Sequence, residues 1–321
     1  MVEKNLTIWP YMSVGICDPK FEILLCKHFE YCLSKNLRIE LDMYPEGYNL
    51  YHNGAWKIIE KTSIKYNVPL DKITLKICEY NTDYPCKVIR EKPYFLSVID
   101  GHSKRWQYDF IGTHQYLFGH FIGRPSWDRL VLHDLIKNTN NALYSFWYGS
   151  TKPQFYQQTV QNIKQLYPQK FKYYKTLLDS MPSHNIQKLP DKKDFNTWHR
   201  AILNLKPFYK NIFVDVVNET DVVDSTCFIT EKTARPILFK TPFIIMAGKN
   251  YIKSLKKLGF KTFDKWWDED YDNFSGIKRI EKITEVIDYI KNLNNVDSIH
   301  TEMQEVIEYN YKHVINSKKV G

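Results

Sequence analysis

Residues 228–248, Phe-Ile-Thr-Glu-Lys-Thr-Ala-Arg-Pro-Ile-Leu-Phe-Lys-Thr-Pro-Phe-Ile-Ile-Met-Ala-Gly, constrain the fold more than any other stretch of this chain. The spacing predicts a loop, a short helix, a tight turn and a buried strand. Thr230 or Thr233 suits the helix cap, Glu231 suits the positive first turn, and Pro236 fits a first-turn position or a kink. A loop-to-helix corner of this kind presents backbone N–H groups, a positive helix end and the Lys232 and Arg235 cations to a single anion.

Elsewhere strand-like and helix-like segments alternate. Residues 6–10, 38–43, 73–78, 94–99, 117–122, 143–147 and 212–217 read as strands. Residues 21–33, 56–66, 126–135, 251–258, 280–293 and 299–315 carry apolar residues at helical spacing, with Ser126 as an N-cap and Gly259 as a C-cap. This order predicts an α/β fold with mostly parallel strands. At 321 residues the chain exceeds one ordinary core, so two domains are expected. Composition shifts to Gln, Lys, Tyr and Pro over residues 149–194, which sets the boundary there. The expected division is 1–155, an N-terminal acceptor-side domain; 156–300, a nucleotide-binding domain; and 301–321, a helix returning to the first domain.

The net charge of +9 attracts anions, whether nucleotide sugars, nucleic acid or a membrane surface, without choosing among them. The six cysteines include no C-x-x-C pair, so reduced thiols and a cytoplasmic location are expected. No run approaches the ~20 apolar residues of a membrane-spanning helix. Phosphate-loop, dinucleotide and zinc-protease motifs are absent from the sequence.

Phe228-Ile229-Thr230-Glu231-Lys232-Thr233, followed by a short helix and Thr241-Pro242-Phe243-Ile244-Ile245, resembles the signature of the α-1,3-fucosyltransferases. It is also similar to the C-terminal region of uncharacterised phage, giant-virus and marine bacterial glycosyltransferases. In the latter the likeness extends to Leu258-Gly259-Phe260 and to Trp267-Asp268-Glu269-Asp270. The resemblance implies two Rossmann-like domains facing a cleft, the GT-B architecture. It further implies inverting sugar transfer from a nucleotide-diphosphate sugar, a GDP-sugar foremost, with no essential Mg or Mn. By motif position Glu231 holds the ribose hydroxyls and Lys232 the phosphates. Asn218 and Glu219, at the end of an apolar strand, and Thr230 are further nucleotide contacts. Arg129, in Gly123-Arg124-Pro125-Ser126-Trp127-Asp128-Arg129, matches the family's phosphate-binding Arg, with Arg124 as a second candidate. Where the family carries a bulky aromatic soon after the Lys, this chain has Ala234-Arg235, so the donor sugar stays open.

Inversion needs a group that takes the proton of the attacking hydroxyl. Asp100, at the end of an apolar run and before a turn, is the first candidate, with His102, His114 and Glu46 behind it. Asp268 and Asp270 form a D-x-D pattern, read as a solvated loop rather than a metal site. The expected acceptor is a glycan or a glycosylated surface component. DNA as acceptor and a non-enzymatic nucleic-acid- or glycan-binding module remain as alternatives.

Overall fold

The computed structural model of the chain describes residues 12–13, 16–17, 20–43, 50–51, 54–77, 82–90, 114–146, 153–186, 198–220, 222, 227 and 229–316. Two compact units form, residues 1–98 with 225–229 and residues 99–224 with 230–321.

The first unit opens with an antiparallel pair, β1 (Met12–Ser13) and β2 (Ile16–Cys17). Helix α1 (Lys20–Ser34), strand β3 (Ile39–Asp42), helix α2 (Ala55–Lys65) and strands β4 (Ile73–Ile77) and β5 (Lys87–Arg90) follow. The sheet β3-β4-β5 is parallel throughout. Phe21, Leu25 and Phe29 of α1 and Trp56 and Ile59 of α2 share one core with Leu41 and Leu75 of the sheet. Their helical spacing is the pattern visible in the sequence. Strand β5 was not visible there, because Lys-Val-Ile-Arg offers only two apolar residues between charges.

The second unit runs β6 (Tyr116–Ile122), α3 (Trp127–Lys137), β7 (Ala142–Phe146), α4 (Pro153–Leu166), α5 (Phe171–Asp179), β8 (Ser183–His184) and α6 (Trp198–Tyr209). It continues with β9 (Ile212–Asn218), α7 (Glu231–Leu238), β10 (Phe243–Met246), α8 (Tyr251–Lys257), α9 (Gly276–Lys291) and α10 (Val296–Asn316). The sheet order is β10-β9-β6-β7-β8, with β10, β9, β6 and β7 parallel and β8 antiparallel at the edge. Every residue of β9 and β10 is buried, which is why these strands read as near-continuous apolar runs, broken in β9 by Asp215. The chain moves from β6 to β7 in one direction across the sheet and from β9 to β10 in the other. Right-handed crossovers then put α3 and α7 on opposite faces. The helices accordingly pack in two groups, α3 with α4, α5 and α9, and α7 with α6 and α10.

Two expectations change. The boundary near residue 155 would separate β6 and β7 from β9, yet β6 pairs with both β7 and β9 in one sheet. Hydrophobic periodicity identifies strands without naming their neighbours. The last helix begins at Val296 and packs on α7 and β9, within the second unit. Gly259 has the expected role: its φ of +87 ends α8, and a Cβ there would come within 3.0 Å of the His313 ring. Ser126 occupies the N-cap position of α3 without a side-chain cap hydrogen bond.

Candidate functional site at the switch point of the second sheet

Between β6 and β9 the direction of winding reverses. In open α/β sheets the crevice beyond the carboxyl ends of two such strands is where ligands bind. Most of the residues singled out in the sequence meet there. Arg124 follows β6, Asp128 and Arg129 lie in the first turn of α3, Asn218 ends β9, Glu219 follows it, and Thr230, Glu231 and Lys232 open α7.

Glu219 is fully buried and accepts hydrogen bonds from six donors. Its Oε1 takes the N–H groups of Thr230 (3.1 Å) and Thr233 (3.3 Å), the Thr233 hydroxyl (2.6 Å) and the Tyr251 hydroxyl (3.0 Å). Its Oε2 takes the Thr220 N–H (3.1 Å) and the Thr230 hydroxyl (2.6 Å). The N-terminus of α7 was expected to offer its backbone N–H groups to a ligand. Instead the carboxylate of Glu219 fills that end, and the Thr230 hydroxyl caps the N–H of Lys232 at 3.2 Å. Glu219 thus supports the corner from inside it rather than contacting a nucleotide.

Arg129 is buried as well, 3% exposed, and its guanidinium donates to two carbonyls, Arg124 O (3.1 Å) and Glu219 O (2.9 Å). It ties the loop after β6 to the end of β9. Beside it Asn218 Nδ2 donates to Asp128 Oδ2 at 2.6 Å. Both Arg129 and Asp128 are buried, and their side chains join the start of α3 to the end of β9.

Glu231 and Lys232 stand at the rim, with side chains 34% and 21% exposed and their charged ends 2.8 Å apart. The Lys232 ammonium also donates to the hydroxyls of Thr220 (3.0 Å) and Thr230 (3.1 Å). Burial pushes the Glu231 carboxyl up, but Lys232, helped by Arg235, overrides it and brings the value down to about 2. The carboxylate stays ionised as an acceptor for hydroxyl groups. Arg124 is partly exposed, its guanidinium 4.7 Å from the centre of the Phe155 ring.

Two contributors were missed in the sequence, Asp215 and Tyr251, and a third, Arg235, was read there only as part of the cationic corner. Arg235, one turn after Glu231, is buried and reaches Phe121 O only at 3.4 Å, and its Nε has no partner among the described residues. Asp215 is fully buried in β9 and accepts the Tyr209 hydroxyl at 2.5 Å. Burial raises its carboxyl to about 6, against the opposing pull of Arg235 and Tyr209. A charged residue interrupting the run Ile-Phe-Val-Asp-Val-Val was the available signal for Asp215. Nothing in the sequence pointed to Tyr251, which reaches Glu219 from 32 positions away.

The proposed base Asp100, His102 and Glu46 lie outside the described residues. His114 precedes β6 and is held by Asp297, ring to carboxylate 2.6 Å, away from the switch-point residues in the hydrogen-bond network. Asp268 accepts the backbone N–H of Asp270 at 2.8 Å, a turn-capping role. Among the described residues no group of three or more His, Cys, Asp or Glu is arranged to hold a metal ion, and no helix is long and apolar enough to cross a membrane. No family model, curated protein or solved structure matches the chain.

Proposed function

We propose that this chain is a glycosyltransferase, moving a sugar from a nucleotide-diphosphate sugar to a hydroxyl of a glycan or a glycosylated surface component. The observation that supports it best is the meeting of Arg124, Arg129, Asn218, Glu219, Glu231 and Lys232 at the switch point of a doubly wound parallel sheet. These residues come from segments about ninety positions apart, as the Arg129–Glu219 bond illustrates.

In this reading Glu231 accepts the ribose hydroxyls, and Lys232 exchanges its bonds to Thr220 and Thr230 for bonds to the diphosphate. Arg124 adds a second cation from the facing loop. Charge growing on the departing diphosphate is met by these groups. Glu219 and Arg129 act as positioning residues that hold α7 and the loop after β6 in place. The second unit would be the donor half of a GT-B arrangement, and the base, Asp100 in this proposal, would take the proton of the acceptor hydroxyl. Inversion without an essential metal follows from the resemblance.

Thermal unfolding with GDP, UDP and dTDP tests the proposal. A ligand that binds only the folded state raises the midpoint through linkage. At least one nucleotide should do so; if none does at millimolar concentration, the donor-binding reading is lost and a module without nucleotide chemistry takes its place.

A further inference from the structure

A groove of about 560 Å³ lies in the second unit between the loop 264–271 and one face of α9, and none of the switch-point residues line it. Its volume suits a small ligand. The walls are aromatic: Trp266, Trp267 and Tyr271 from the loop and Tyr289 from α9. Lys282, Glu285, Val286 and Tyr289 share one stripe of the helix, at the spacing that faces a single side. Trp267 and Tyr271 are buried, 4% and 1% exposed, and form a rigid floor, whereas Tyr289 is 51% exposed at the rim. Arg279 stacks behind Tyr271, 5.1 Å from its ring centre, and is anchored on the carbonyls of Ile245 and Gly248.

The polar rim carries both signs, in part matched. Lys282 bonds Glu285 (2.7 Å), Lys256 bonds Asp264 (2.8 Å), and the Lys265 ammonium sits 5.2 Å from the centre of the Trp266 ring. Asp268 and Asp270 add exposed acceptors. An anion entering here meets carboxylates, and a cation finds the Trp266 face already covered by Lys265. A neutral molecule with an apolar ring face and many hydroxyls meets neither penalty. Its C–H face stacks on the half-exposed ring of Tyr289, and its hydroxyls both donate to the carboxylates and accept from the lysines.

We infer that this groove binds a neutral saccharide, at a site separate from the switch point. The inference stands apart from the nucleotide proposal and survives its failure.

An array of neutral glycans, probed with the full chain, tests it alongside polyamine and sulfated-glycan spots. Binding to at least one neutral glycan is expected. It should be lost at least fivefold in Tyr289→Ala, restored in Tyr289→Trp, and unchanged in Lys232→Ala. Tyr289 is exposed, so its variants keep the fold, which circular dichroism verifies. Absence of neutral-glycan binding, binding confined to the charged spots, or binding that ignores Tyr289→Ala overturns the inference.

Discussion

The Thr230 hydroxyl lies 2.6 Å from Glu219 Oε2 and donates to it, so the N-cap of α7 is itself fastened to the end of β9. Cap, strand end and helix start form one unit, and the position of Glu231 and Lys232 depends on it. Glu219→Ala leaves six neutral donors without their acceptor and should cost about 3–5 kcal/mol, since a buried donor left unpaired costs about 1–3 kcal/mol and several are stranded together. Glu219→Gln keeps the shape and should lose less. Urea denaturation gives the ordering; an alanine variant as stable as the parent contradicts the role assigned to Glu219.

Lys232 is the cation best placed to leave its protein partners, because two of its three acceptors are threonine hydroxyls. Lys232→Ala should weaken nucleotide affinity at least tenfold, ~1.4 kcal/mol, while the protein stays folded. Calorimetric titration with the nucleotide that stabilises the parent gives the comparison. Unchanged affinity in a folded variant removes Lys232 from the site.

His133 is fully buried beside Tyr144, Phe146 and His120, and neither ring nitrogen has a partner among the described residues. Burial pulls its value from 6.5 to about 3, and those of His120 and His300 to about 4. The folded state keeps these rings neutral, so the unfolded state takes up protons first as the solution is acidified. Their contribution is complete above pH 6.5 and is lost as pH falls toward 4 and then 3. Asp215 works the other way between about 6 and 3.8, because its folded carboxyl holds the proton longer. His133→Phe should flatten the acid limb of stability by up to ~1.4 kcal/mol per pH unit. Thermal melts between pH 7 and pH 4, taken for both proteins, give the two slopes; parallel slopes count against this account.

Arg279 is fully buried and donates to the carbonyls of Ile245 (2.9 Å) and Gly248 (3.0 Å) and to Asp272 Oδ1 (3.1 Å). Asp272 in turn accepts the N–H groups of Ile252 and Lys253 at the start of α8. Arg279→Met strands that carboxylate and should destabilise the protein by about 3–5 kcal/mol. Denaturant midpoints for Arg279→Met and Arg279→Lys decide it, the lysine variant lying between methionine and the parent.

Much of the secondary structure was visible in the residues. Isoleucine and valine runs marked β9 and β10, the helical spacing of Phe21, Leu25 and Phe29 marked α1, and Gly259 marked the end of α8. Helix α6, which holds Pro207 within it, was not assigned, and neither was β5, between its flanking charges. The helix start at residues 230–232 was also legible, because a threonine followed by an acidic residue suits an N-cap and a positive first turn.

What the sequence by itself determined was where strands and helices form, since apolar period and capping act over one or two turns. What only the tertiary structure decided was that β6 pairs with β9, that residues 116–146 join the C-terminal half, and that Glu219 rather than an outside anion fills the start of α7. Strand neighbours and buried charges are settled by contacts between distant segments. A carboxylate is identical on paper whether water, a phosphate-binding corner or six protein donors receive it; burial makes the difference, and burial belongs to the folded chain.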